Sequence, residues 1–312
     1  MDALLKLAGI YPPVPTFFGP DEGLDLATLR RHVAWLCTEG IEGIVVLGSN
    51  GEAVHLDEAE RGPVIAAVRE AAGADAQVLA GVGALSTRAT RANCRVAAQA
   101  GADVALVLPP AHYRGAMTAT ALRGHYLAVA DASPLPIAIY NMPANTAGLD
   151  LDAETVVALS AHPNIIGLKD SSGNVAKLAQ VAAEAREGFA VLAGSASFLL
   201  PALTVGATGA IAALANIAPR ACLRLLALWD ARQLDEARLL QARLVPPNAG
   251  VTSGYGVPGL KAALQLVAGY GGDPRRPLLP LGEMERERLR TLLAEANLLA
   301  WSDERGDRTR AT

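Results

Sequence analysis

Residues 163–175 read PNIIGLKDSSGNV. Asn164 to Leu168 is a short apolar run of strand length, Lys169 sits at its end, and Asp170, Ser171, Ser172 and Gly173 follow at once. Asp, Ser and Gly satisfy turn backbones and helix starts, so this is how a strand leaves a sheet for a loop and a helix. An ammonium at the mouth of a buried strand is poorly solvated, which favours the neutral, nucleophilic amine that forms a Schiff base with a carbonyl. For this stretch taken alone, a lysine that ends a strand and faces water is the plainer reading. Usage elsewhere weighs against it. Of 27 basic residues only Lys6, Lys169, Lys177 and Lys261 are lysines. A chain rich in Arg has kept a lysine at a position where Arg could not lose its proton.

The same punctuation recurs along the chain. Apolar, β-rich runs end near Thr16, Leu47, Val82, Leu108, Tyr140, Lys169, Gly194 and Leu214. Segments of helical periodicity lie between them: 26–37, 56–72, 87–100, 116–130, 153–160, 175–185 and 197–205. Thr87, Asp152 and Asp57 read as helix starts, and Gly40, Gly73, Gly101 and Gly206 fall where helices should stop. Strand–helix units at this spacing imply parallel pairing, and eight of them imply a closed (β/α)8 TIM barrel. An open doubly wound sheet is the alternative, with fewer strands as a rule. After Leu214 the strand signal ends and helices are expected at 220–231, 234–244, 259–268 and 283–296, punctuated by Pro/Gly-rich stretches at 246–259 and 269–280. The expected division is a barrel over 1–217, a C-terminal helical extension over 218–301, and a charged, disordered tail over 302–312.

With a formal net charge of −4 and a pI near 5.8, the chain carries no electrostatic footprint for nucleic acid or an anionic membrane. No apolar segment reaches bilayer-spanning length, and residues 1–10 lack a secretory or transit pattern. Cys37, Cys94 and Cys222 are odd in number and widely spaced, and read as small hydrophobes in a reducing compartment. A cytoplasmic protein is expected.

In such a barrel chemistry gathers at the C-terminal ends of the strands. After the second strand come Gly48, Ser49, Asn50, Gly51 and Glu52, where side chains and backbone N–H groups can converge on an anion. The spacing is not that of a dinucleotide or phosphate loop. Residues 109–115, PPAHYRG, follow the fourth strand and bring His112 and Tyr113. The fifth ends at Tyr140, followed by NMPANT with Asn145. A tyrosine facing a lysine from the next strand can move protons for it, although a lone Tyr is more often a packed aromatic. Gly194 and Ser195 end the seventh strand, and residues 213–216 the eighth; both are small enough to leave a cavity. No His, Asp or Glu cluster has metal-ligand spacing, His55 and His162 read as surface or cap residues, and no cofactor motif occurs. Metal-free, lysine-based chemistry is what remains.

The order GSNGE, PxxYRG, YNxP, GLKDS and AGS resembles the dihydrodipicolinate synthase / N-acetylneuraminate lyase family over about residues 9–298. Its 4-hydroxy-2-oxoglutarate aldolase type also shares PANT, HPNI, AGSA, the PNAxVT of 247–252 and the PGLK of 258–261. The resemblance implies a pyruvate-handling class I aldolase, metal-free and tetrameric (a dimer of dimers). It implies that Lys169 forms the imine, Tyr140 moves protons, and Ser49 links Tyr140 to a second hydroxyl. Asn50 and nearby amides, including that of Gly51, would hold the pyruvate carboxylate, while Ser171 would help place the other substrate half.

Three positions depart from the family pattern. His112, beside Tyr113, stands where the family's relay has a tyrosine that reaches into a neighbouring subunit, so either His112 carries the proton, or Tyr113 shifts in, or the relay is weakened. Asn145 stands where dihydrodipicolinate synthases have an arginine, which argues against that activity. The loop 194–197 lacks the acidic residues of sialate lyases. The expected reaction is cleavage of a 4-hydroxy-2-oxo acid to pyruvate and an aldehyde such as glyoxylate. Alternatives are an aldolase or dehydratase of a sugar-derived 2-oxo-3-deoxy acid, dihydrodipicolinate synthase, and a non-catalytic 2-oxo acid binding protein.

Overall fold

Eight parallel strands make one sheet in the order β1-β8-β7-β6-β5-β4-β3-β2. They are β1 (Gly9–Tyr11), β2 (Gly43–Val46), β3 (Gln77–Gly81), β4 (Val104–Val107), β5 (Ile137–Asn141), β6 (Ile165–Asp170), β7 (Ala190–Ala193) and β8 (Gly209–Ile211). The computed structural model describes residues 5–299, and the tail expected to be disordered, 302–312, lies outside them. The ring is completed between β1 and β2, where Val45 N donates to the Pro12 carbonyl at 3.0 Å and Val14 N donates to the Val45 carbonyl at 2.9 Å. The fold is the expected (β/α)8 barrel with a helical C-terminal extension.

The first strand stops at Tyr11 rather than near Thr16, because Pro12, Pro13 and Pro15 cannot donate to a ladder. The last stops at Ile211 rather than Leu214, and residues 213–216 wind into a helical turn. Seven helices alternate with the strands: α1 (Leu26–Thr38), α2 (Glu58–Ala72), α3 (Thr87–Gln99), α4 (Ala119–Ala132), α5 (Ala153–Ser160), α6 (Val175–Glu184) and α7 (Leu199–Thr204). Asp57 and Asp152 cap as expected, but α3 is capped by Ser86, whose side chain accepts from Ala89 N, and Thr87 is its first helical residue. Gly40, Gly73, Gly101 and Gly206 all have positive φ, the conformation a helix stop takes at least cost in glycine.

Beyond β8 come α8 (Pro219–Asp230), α9 (Leu234–Gly250), α10 (Gly256–Ala268) and α11 (Glu283–Glu295). The sequence places a break at Pro246, yet α9 runs through Pro246 and Pro247. Tertiary contacts hold it there. Gln241 accepts from Leu200 N at 2.8 Å and donates to the Ala196 carbonyl at 2.8 Å, and Asn248 donates to Ser195 Oγ at 2.9 Å. These bonds fix the helix to the turn after β7 and outweigh two missing ladder donors. Apolar side chains form two cores, one inside the ring (Tyr11, Val45, Leu79, Leu106, Leu192 and Ile211 among them) and a larger one between strands and helices. Cys94 and Cys222 are buried and Cys37 half-buried, all unpaired.

Candidate active site

Lys169 faces the barrel interior because of a bulge. The β5–β6 register runs Ile137 to Ile165, then Ala138 to Gly167, leaving Ile166 unpaired. In a regular strand, side chains at an odd separation point to opposite faces. The extra residue reverses the phase, so Ile166 packs inside the ring, Leu168 outside it, and Lys169 turns inward again opposite Tyr140. Gly167 is the one sequence signal of this irregularity, since glycine inside a strand often marks a bulge. Lys169 is 3% exposed and Tyr140 is 4% exposed. The Lys169 Nζ lies 3.9 Å from the centroid of the Tyr140 ring.

Three lysines are buried, and their partners differ. Lys177 Nζ lies 2.6 Å from Asp150 and 2.7 Å from Asp170, and Lys261 Nζ lies 2.7 Å from Glu52. Among the described residues no carboxylate pairs with Lys169. A buried lysine without an ion pair is rare in a packed core.

Asp170, next in the chain, is turned to the other side. Its carboxylate accepts from Ser172 N at 2.8 Å, from the Ser172 hydroxyl at 2.5 Å and from Asn141 Nδ2 at 2.9 Å, besides pairing with Lys177. Asn141 also donates to Asp150 at 2.6 Å and accepts from Leu151 N at 3.0 Å. This network ties the ends of β5 and β6 to α6, directly behind the Tyr140–Lys169 pair. Asp150 and the role of Lys177 escape a reading of the sequence, because ion pairing between distant segments leaves no local pattern.

Across the mouth, the Ser49 and Tyr140 hydroxyls share a hydrogen bond of 3.1 Å. Ser49, Asn50 and Gly51 form one helical turn after β2. Leu47 and Glu52, which flank it, both adopt the left-handed conformation, with φ of 55° and 52°. Such conformations in residues other than glycine cost energy and persist where surrounding contacts enforce them. Thr16 Oγ1 donates to the Gly51 carbonyl at 2.6 Å.

Ser171 N donates to the Asn141 carbonyl at 2.9 Å, beside the end of β7. A β-carbon at position 194 would collide with the Ser171 hydroxyl and the Asp170 carbonyl, so Gly194 allows the two strand ends to meet. Ser195 Oγ shares a 3.0 Å hydrogen bond with Ser197 and accepts from Asn248 at 2.9 Å. Asn216, expected to border a cavity, is fully buried instead. It donates to the Pro13 carbonyl at 2.9 Å and lies 3.0 Å from His32 Nε2.

Asn145 is exposed on the turn after β5. His112 and Tyr113 are exposed as well, their rings edge to face at 4.9 Å, with Tyr113 at 73% exposure. No hydrogen bond in this chain joins them to Ser49, whose hydroxyl is bonded to Tyr140. His162 caps locally, accepting from Asn164 N at 3.1 Å, and the half-buried His55 brings its Nδ1 to 3.3 Å from the buried carboxylate of Glu52. Among the described residues, no three His, Cys, Asp or Glu side chains gather as a metal ion would need.

The dihydrodipicolinate synthetase family model matches residues 6–296. The protein named "Probable 4-hydroxy-2-oxoglutarate aldolase, mitochondrial" from Emericella nidulans is 44% identical, covering 92% of this chain and 94% of that one. An L-threo-3-deoxy-hexylosonate aldolase from Hypocrea jecorina is 40% identical over 86% of this chain and 90% of its own. A prophage protein of the dihydrodipicolinic acid synthase family from E. coli K12, solved in complex with pyruvate, superposes with a TM-score of 0.88 at 31% identity, covering 95% of this chain and all of that one (100%).

Proposed function

The chain belongs to the dihydrodipicolinate synthetase family, and from that premise we propose that it is a class I aldolase cleaving a 4-hydroxy-2-oxo acid, such as 4-hydroxy-2-oxoglutarate, to pyruvate and an aldehyde such as glyoxylate. The observation that carries this reading is the buried lysine without a carboxylate partner, Lys169, facing Tyr140. The two aldolase-named relatives support it.

In this reading the Lys169 amine adds to the C2 ketone, and loss of water gives an imine, with Tyr140 carrying protons in both steps. The C4 hydroxyl then gives its proton to Tyr140 as the C3–C4 bond breaks. The bonding pair moves into the C2–C3 enamine and the aldehyde departs. Protonation at C3 and hydrolysis of the imine release pyruvate and restore Lys169. Ser49 holds the Tyr140 hydroxyl, while Asn50 and the amides near Gly51 receive the carboxylate. Ser171, Gly194, Ser195 and Asn145 border the aldehyde half. The barrel, residues 1–217, carries the chemistry and the extension, 218–301, braces it.

A second reading is an aldolase or dehydratase of a sugar-derived 2-oxo-3-deoxy acid, supported by the H. jecorina relative and by the hydroxyls of Ser195 and Ser197 near the site. Dihydrodipicolinate synthase is disfavoured because Asn145 cannot make the bidentate grip of an arginine. A panel of 4-hydroxy-2-oxo and 2-oxo-3-deoxy acids separates these reactions by product: an aldolase releases pyruvate and an aldehyde, whereas a dehydratase releases water, leaves the carbon chain intact and yields no pyruvate. Aldolase turnover that survives Lys169→Ala would refute the mechanism.

The working unit in this account is a homotetramer, in which His112 or Tyr113 of a neighbouring copy completes the relay from Ser49. Val54, Leu85 and Tyr113, at 88%, 71% and 73% exposure, follow adjacent strands β2, β3 and β4 and offer an apolar face for that copy. Sedimentation velocity reads the assembly directly. The unpaired cysteines suit a cytoplasmic setting, although the name of the E. nidulans relative assigns that protein to mitochondria.

A further inference from the structure

Glu52 follows directly on the turn that presents Ser49, Asn50 and Gly51, and its N–H closes that turn on the Ser49 carbonyl at 3.2 Å. It is 2% exposed and left-handed, so a buried charge and an unfavourable backbone coincide in one residue. Besides His55, whose Nδ1 lies 3.3 Å from Oε2, what holds it comes from the far end of the chain. Lys261 on α10 brings its ammonium to 2.7 Å from Glu52 Oε1, and Arg275 N donates to Oε2 at 2.8 Å.

These two residues are themselves fixed. Lys261 donates to the Asp273 carbonyl at 2.9 Å, and its Nζ lies 4.4 Å from the centroid of the Phe18 ring. The Arg275 guanidinium lies 4.3 Å from the same centroid and reaches both oxygens of Glu60 on α2, at 2.6 and 2.8 Å. Burial pushes the Lys261 ammonium below the ordinary lysine value and the Glu52 carboxylate opposes that shift. An isolated pair of this kind adds little stability over an apolar replacement, so its worth lies in fixing geometry.

We propose that the C-terminal extension is a working part of the active site, in which Lys261 and Arg275 clamp Glu52 and thereby position Ser49, Asn50 and Gly51 for the substrate carboxylate. Lys261, Arg275 and Glu52 are positioning residues: none touches the substrate in this account. The inference rests on the carboxylate assignment made above for that turn.

The test is pyruvate trapping by borohydride, read as intact mass across a range of pyruvate concentrations, on wild type, Lys261→Met, the double variant Glu52→Gln with Lys261→Met, and Leu225→Ala in the core of α8. Loss of the clamp should raise the half-saturating pyruvate concentration about tenfold or more, with a smaller change in the trapping maximum and in kcat. The double variant removes both charges and leaves no uncompensated carboxylate. It should regain thermal stability yet keep the raised half-saturation, and it carries the test if Lys261→Met does not fold. Leu225→Ala should lose stability while keeping the wild-type half-saturation. Unshifted half-saturation in the double variant, or an equal rise in Leu225→Ala, would overturn the clamp alone. A wild type that traps no pyruvate would overturn the reading of the site and the clamp with it.

Discussion

Tyr140 and Lys169 stand opposite each other in register on β5 and β6, with the lysine Nζ 3.9 Å from the centroid of the tyrosine ring. The phenol oxygen, at the rim of that ring, bonds to Ser49 from β2's loop at 3.1 Å. In the proposed mechanism a proton passes between the ring hydroxyl and a substrate held on Lys169, while Ser49 keeps the hydroxyl in place. Tyr140→Phe removes the proton carrier and should lower kcat by about a hundredfold or more. Ser49→Ala removes its anchor and the link to the neighbouring copy's relay but keeps the proton carrier itself, and should cost about tenfold. Steady-state kinetics on the best panel substrate check the order, and a Ser49→Ala loss larger than that of Tyr140→Phe would contradict it.

The network behind the pair supports it structurally. Among the described residues, Lys177 is the one cation on the buried Asp170 carboxylate, whose side chain is 1% exposed. Lys177→Met should leave that charge uncompensated and destabilise the fold by about 3 kcal/mol, read from urea unfolding. A loss below about 1 kcal/mol would mean that Asp170 is satisfied by Asn141 and Ser172 alone.

If the relay is completed by a neighbouring copy, two inactive proteins should rescue each other. Lys169→Ala subunits lack the nucleophile but keep the loop of His112 and Tyr113, whereas subunits carrying both His112→Ala and Tyr113→Phe keep the nucleophile. Mixed after reversible dissociation, they should recover a measurable fraction of wild-type turnover. Turnover in the mixture no greater than in the separate proteins would place the relay within one chain.

His125 gives a pH signature of stability. It is buried on α4, with Nδ1 2.9 Å from Thr87 Oγ1 and no partner for Nε2 among the described residues. Burial lowers its pKa from 6.5 to about 4. The unfolded chain thus takes up a proton near pH 6.5 that the folded chain refuses until about pH 4. Its contribution is present above pH 6.5 and is lost as the pH falls toward 4, by up to about 3 kcal/mol at about 1.4 kcal/mol per pH unit. Urea unfolding at pH 7 and pH 4.5 should show a smaller loss in His125→Gln than in wild type. Equal losses would contradict the assignment.

The barrel is legible in the sequence because each strand–helix unit carries local chemistry: β-rich runs, Asp57 and Asp152 at helix starts, glycines with positive φ at helix stops. That Lys169, Tyr140 and Ser49 meet is legible because the strand ends of a barrel share one mouth. What decides that Lys169 faces Tyr140 is signalled in the sequence by Gly167 alone, since the bulge at Ile166 depends on pairing with β5. The course of α9 through Pro246 and Pro247 is set by Gln241 and Asn248 reaching another segment, which propensity cannot report. The pairs Lys261–Glu52 and Lys177–Asp150 escape for the same reason.

The central claim, that Lys169 is the nucleophile, is tested most directly by intact mass after incubation with pyruvate and borohydride, beside Lys169→Ala. The account predicts one pyruvate-derived addition per wild-type chain and none in the variant. Folded wild type with no addition, or an equal addition to Lys169→Ala, would contradict it.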